Sequence, residues 1–130
     1  MLKRKTMTNL EIYSYADALM SAFQKDMILP VKVNFYLQKN MTKLAEMGQE
    51  IEKARMDIVR KYGEESEDGQ SYTVPADKVE LANKELSDLF ALEQEVKVNM
   101  ISLDAFDHID LTNAQVAAIA FMIDDSEEEE

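Results

Sequence analysis

Apolar residues recur at steps of three and four through Val33, Leu37, Met41, Leu44, Ile51, Ala54, Ile58 and Tyr62. That spacing is one face of an α-helix. Gly48 fills the one seven-residue gap, either because another helix crosses closely there or as a neutral replacement. The stretch from Pro30 to Gly63 predicts a single helix of about nine turns, roughly 50 Å long. Pro30 suits its first position, where an N–H would have no intrahelical partner. Arg60 and Lys61 meet the negative end of the helix dipole, and Gly63 is expected as a left-handed stop. A rod of this length exceeds a compact body of 130 residues, so its far end either projects or is covered by a partner.

Ahead of it, Thr8-Asn9-Leu10-Glu11 is a capping box, with Met7 and Ile12 placed for a hydrophobic staple. Ile12, Ala16, Leu19, Met20 and Phe23 then form an apolar stripe, predicting a first helix from Asn9 to about Lys25. The short link 26–29 makes the first two helices antiparallel neighbours. Residues 64–70 are acidic, polar and glycine-containing, and predict an exposed loop. Val79, Ala82, Leu86, Leu89 and Phe90 predict a third helix over 76–93. The period then changes to two: Val96, Val98 and Met100 alternate with Lys97 and Asn99, the pattern of a strand. Its expected partner is Ser71–Val74. A second capping box, Thr112-Asn-Ala-Gln115, opens a fourth helix carrying Val116, Ile119, Ala120 and Ile123, with Leu111 and Val116 as its staple. Phe121 and Met122 spread that helix's apolar character around its surface.

The reading is a mainly α (α+β) fold: a long antiparallel helical hairpin, two further helices and a small two-stranded β-ribbon. Residues 1–123 form one helical domain and 124–130 an acidic disordered tail. A start at Met7 would leave the first six residues as a mobile tail.

Charge changes the picture more than composition does. The net charge is −12 and is distributed unevenly. Residues 30–62 carry seven bases and four acids, whereas residues 63–130 carry three bases and nineteen acids. Such a surface repels nucleic acid and attracts basic proteins. Pairing of Lys32, Lys39, Lys43 and Lys53 with the acidic half is the expected use of the long helix's basic face, and no direct nucleic-acid binding is expected. There are no cysteines, no run of about 18 apolar residues and no signal-peptide pattern. A cytosolic location fits these features.

Catalytic chemistry is not expected. His108 lies among Asp104, Asp107 and Asp110, but one histidine cannot make a zinc site, and the order lacks the calcium-loop glycine. No phosphate loop, dinucleotide fingerprint or nucleophile elbow is present. No metal or cofactor is therefore expected. The candidate partner-binding residues are the carboxylates Glu64, Glu65, Glu67, Asp68, Glu80, Glu85, Asp88 and Glu93. Rows of carboxylates on a rigid scaffold can occupy a groove built for phosphates.

Three stretches carry a resemblance: Thr8–Leu19 (T-N-L-E-I-Y-x-Y-A-x-A-L), Leu29–Asn40 (L-P-V-K-V-N-F-Y-L-Q-K-N) and Ile51–Glu64 (I-E-K-A-R-x-x-I-x-x-K-Y-G-E). With Leu111–Gln115 they resemble a family of small uncharacterised proteins of phages and prophages of Gram-positive bacteria. The acidic tail is a departure from that family. The resemblance implies a viral origin and action in an infected cell or in virus assembly. It carries over no catalytic residues. The expected function is a non-catalytic phage accessory protein, an inhibitor of a host defence complex of the anti-CRISPR kind. It would mimic nucleic acid to bind a protein with a basic surface. The alternative is a virion or tail-assembly component, with homo-oligomer contacts along the long helix.

Overall fold

A computed structural model describes residues 2–23 and 27–124. In chain order they form β1 (Leu2–Thr8), α1 (Asn9–Ala22), α2 (Val31–Tyr62), β2 (Glu64–Glu65), β3 (Tyr72–Thr73), α3 (Val79–Ala91), β4 (Glu93–Asn99), β5 (Ile101–Ser102), α4 (Asn113–Ile119) and β6 (Ile123–Asp124). The fold is mainly helical α+β, organised on α2.

Both capping boxes are present. Thr8 Oγ1 accepts from Glu11 N–H, and Thr112 Oγ1 from Gln115 N–H, each with the reciprocal bond back to the cap. Their residues lie within four positions of each other, so local geometry alone specifies them. α1 runs antiparallel to α2: Ala16 lies against Gly48 and the Tyr13 hydroxyl reaches Glu52. α1 ends at Ala22 rather than near Lys25, since Phe23 is already extended; residues 24–26 lie outside the described residues. Ile12, Ala16 and Leu19 are buried as expected, but Met20 is exposed, being one 100° step off their stripe.

The two helices cross closely at Gly48. A Cβ there would meet Ala16 Cβ at 3.8 Å, an ordinary van der Waals distance. Glycine is thus compatible with the crossing but not demanded by it. Gly48→Ala is expected to raise stability by up to about 1 kcal/mol, the interior cost of glycine against alanine. Urea unfolding would check this, and a loss of stability would show a tighter seam.

The chain itself covers one face of α2 along most of its length, while Val31 and Phe35 at its start stay exposed. Val33, Leu37, Leu44 and Ile51 are buried in one core with Ile12, Leu19, Val96, Val98, Ile101, Ile119 and Met122. Towards its C-terminus, α3 packs alongside and leaves Ile58, Val59 and Tyr62 half-buried. Gly63 is not left-handed: its φ is −95° and its N–H donates to Val59 O. A Cβ there would come within 2.6 Å of Val59 O, which accounts for glycine at that position.

The strand pairing differs from expectation. β4 pairs antiparallel with β1, placing Lys3 opposite Val98, Lys5 opposite Val96 and Met7 opposite Gln94. Residues 2–6 are therefore strand, not a mobile tail. Tyr72–Thr73 pair instead with Glu64–Glu65, so the expected acidic loop is a small hairpin. Its turn is closed locally: Ser66 N–H donates to Ser71 O, Gly69 N–H to Ser66 O, and Gly69 holds φ at +72°. A short loop closes at lower entropic cost than a distant pairing. At the other end, β5 and β6 pair in parallel. Asp124, expected in the tail, sits opposite Ser102; residues 125–130 lie outside the described residues.

Helices 3 and 4 are shorter than expected. A 3-10 turn at Ala76–Lys78 precedes α3, and Leu92 breaks into extended backbone, so Glu93 opens β4. α4 passes into a 3-10 turn at Ala120–Met122. That tightening turns both Phe121 and Met122 inward, while Val116, half of the expected staple, stays exposed. Ile123 belongs to β6 rather than to the helix.

Three amide side chains fasten the joints. Asn40, on the buried face of α2, donates from Nδ2 to Asn99 O at 2.9 Å and accepts Asn99 N–H at 2.8 Å. It thereby completes the backbone where β4 ends. Asn9 Nδ2 donates to Leu89 O at 2.9 Å and its Oδ1 accepts from Gln94 at 2.7 Å, tying α1 to the end of α3. Gln115 Nε2 donates to Ala22 O, satisfying a carbonyl at the end of α1 that has no intrahelical partner. Lys5, directed inward from β1, does the same for Phe121 O at 2.5 Å.

Candidate functional site

Seven of the eight candidate carboxylates are exposed, and the fold sorts all eight into three settings. Glu64, Glu65, Glu67 and Asp68 crowd the β2–β3 hairpin beyond the end of α2. Glu80, Asp88 and Glu93 are spread along α3 and its exit, a span of about 20 Å. Glu80, Lys84 and Asp88 share one exposed stripe at four-residue spacing, with Lys84 Nζ 3.4 Å from Asp88.

Glu85 is set apart. It lies on the flank of α3 that faces α2. It accepts hydrogen bonds from the Tyr62 hydroxyl and, at 3.0 Å, from Lys61 Nζ. These two donors hold its carboxyl below the usual range, Tyr62 contributing most. Glu85 thus fastens α3 to the last turn of α2 and is already engaged. In the hairpin turn, the Ser66 hydroxyl and Gln70 N–H donate to Asp68 and lower its carboxyl pKa.

Ion pairing between α2 and the acidic half is narrower than the sequence suggested. Among the described residues it comes down to Lys61–Glu85; Arg55–Glu52 and Arg60–Asp57 are pairs within α2. Lys39 instead sits 5.2 Å over the exposed Phe35 ring. Glu85 and Asp88 are ion-paired and Arg60 lies 5.9 Å over the Tyr72 ring of the hairpin; the other six candidate carboxylates make no salt bridge among the described residues.

Glu52 is the most perturbed carboxylate. Arg55 donates to both of its oxygens, at 2.8 and 2.6 Å, and the Tyr13 hydroxyl at 3.1 Å. Arg55 is the largest cause that lowers its pKa to about 2, with Tyr13 helping. A carboxyl lowered in the folded state adds stability above its unfolded pKa of 4.5 and loses it as pH falls from there towards 2. The group is 40% exposed, so solvent screening limits the contribution to roughly 0.5–1 kcal/mol. Glu52→Gln is expected to remove that amount at pH 7 and only a small part of it at pH 2, where the folded carboxyl is half protonated, as measured by urea unfolding at both pH values.

His108 is exposed, with φ at +68°, a left-handed conformation in which histidine is enriched. Among the described residues, no group of three or more His, Asp or Glu is arranged to hold a metal ion. None of their helices is long and apolar enough to cross a membrane.

Sequence reasoning found the carboxylates but missed the surface between them. Leu10 and Phe90 border an open groove between α1 and α3, continued by Leu86, Ser87, Asn83 and Ala91. Leu86 and Phe90 read in the sequence only as part of the third helix's apolar spacing; the available signal is Leu10, one residue into α1 and off its buried stripe. Comparison of the chain with protein-family models, curated proteins and solved structures finds no match.

Proposed function

We propose that this is a non-catalytic phage accessory protein that binds another protein through its acidic end. The observation that carries the reading is the set of exposed, mostly uncompensated carboxylates from Glu64 to Glu93, mounted on a helical frame that Glu85 and Asn9 lock together. A preorganised negative surface gains affinity because little ordering entropy is lost on binding. Such a surface suits a protein whose own groove is built for phosphates. Within this class we favour an inhibitor of a host defence complex, acting in the cytoplasm of the infected bacterium by mimicry of nucleic acid.

Affinity capture from infected cells, followed by mass spectrometry, is the test. The expected partner is a basic, nucleic-acid-binding host protein whose binding weakens steeply with salt. Replacing Glu64, Glu65, Glu80 and Asp88 together by glutamine is expected to weaken capture by more than about 100-fold, several charge contacts at roughly tenfold each. Unchanged affinity would remove the proposal.

One observation favours the second reading, a virion or tail-assembly component. At the other end of α2, Ile28, Val31 and Phe35 are 93%, 87% and 57% exposed, an apolar patch suited to self-packing of the rod. That reading requires the protein in purified virions at fixed stoichiometry.

A further inference from the structure

We infer that the groove between α1 and α3 is the anchoring site for an amphipathic helix of the partner, apolar on one face and flanked by lysine or arginine. The inference rests on the reading above and narrows it from a charged surface to a particular recognition element.

The floor of the groove is apolar and held in place. Leu10 is 56% exposed at the first turn of α1, facing Leu86 and Phe90 of α3 across the opening. The Phe90 ring is braced edge-on by Tyr13, with ring centroids 5.9 Å apart. Asn9 ties the two walls together from beneath, through Leu89 O. α3 offers about 20 Å of wall, the length of three to four helical turns.

The rim is negative. The Glu11 carboxylate is held at Thr8, on one lip, by the capping box. Glu93 stands opposite Thr8 in the β1–β4 register. Glu80 continues the stripe of Asn83 and Ser87 by one turn, and Asp88 adjoins Ser87. Lys84 is the one cation on this part of α3, and it is paired with Asp88. An apolar strip between carboxylates is the complement of a helix with anchors at three- and four-residue spacing and basic flanks. A phosphate-binding groove alone would offer nothing to Leu10, Leu86 or Phe90, so the mimicry of charge and the apolar anchor act on one partner at adjoining places.

The test uses the full-length protein labelled with nitrogen-15 and two synthetic peptides of about 18 residues, long enough for five helical turns. One is a leucine–lysine amphipathic helix; the other has the same composition scrambled so that no apolar face forms. The first is expected to give saturable shifts at residues 8–11 and 83–93 and to bind at least roughly tenfold more tightly than the second. Leu10→Lys is expected to remove that preference without moving the urea midpoint, because Leu10 lies outside the core. Equal binding of both peptides, or shifts confined to residues 64–73, would overturn the groove and leave the acidic protein-binding reading standing. No shift with either peptide would count against both. Concentration-dependent shifts at Leu10 and Phe90 without peptide, abolished by Leu10→Lys, would overturn the proposal in favour of a second copy of the chain.

Discussion

A chain begun at Met7 is expected to lose roughly 3–6 kcal/mol of stability, from the re-exposure of two buried valines at about 1.5–3 kcal/mol each. Without residues 1–6, β4 keeps only Met7 and Thr8 as partners, and Glu95–Asn99 lose theirs. Val96 and Val98, now 2% and 1% exposed, lose the cover of β1. The Lys5 bond to Phe121 O goes with it, leaving that carbonyl unmet. Since small domains have only about 5–15 kcal/mol in total, the truncated protein should unfold at much lower urea, with a broadened transition. An unchanged midpoint would mean that β1 adds nothing to the body.

Asn40→Leu is expected to cost about 2–4 kcal/mol, because it strands two buried backbone groups at roughly 1–3 kcal/mol each. Asn40 and Asn99 are both buried, so water cannot replace the lost amide. The leucine adds apolar volume on a face that is already packed, which offers no compensation. Gln38→Leu, two residues away and exposed, is the control; it should fall within about 0.5 kcal/mol of the parent. Equal effects of the two substitutions in urea unfolding would show that the Asn40–Asn99 pair is not a fastening.

The same residues show how far the sequence could be read. α2 and both capping boxes were legible because they depend on neighbours within one turn. β1 was not. Its alternation carries Lys3 and Lys5 on the inward side, and only the pairing with Val98 and Val96 gives those positions a place. Asn40 reads as a polar interruption of an apolar face until the end of β4 is seen beside it. Gly63 was expected, from its place after the last turn of α2, to be left-handed, whereas the crowding of Val59 O accounts for it. In the candidate site, the carboxylates were visible as a charge tally, since charge is a property of the chain. Their division was not: Glu85 differs from Glu80 only in the flank of α3 it occupies, and that flank is set by packing on α2. The groove lip at Leu10 was equally hidden, because it takes two helices to make it.

The central claim is that the acidic end is the working surface. Carbodiimide labelling of carboxylates in the captured complex, compared residue by residue with the free protein, tests it most directly. Protection of Glu64, Glu65, Glu67, Asp68, Glu80 and Asp88 is expected in the complex, with little change at Glu85, which is engaged in both states. Unchanged labelling at the first six, with the partner cross-linking instead to residues 28–35, would contradict it.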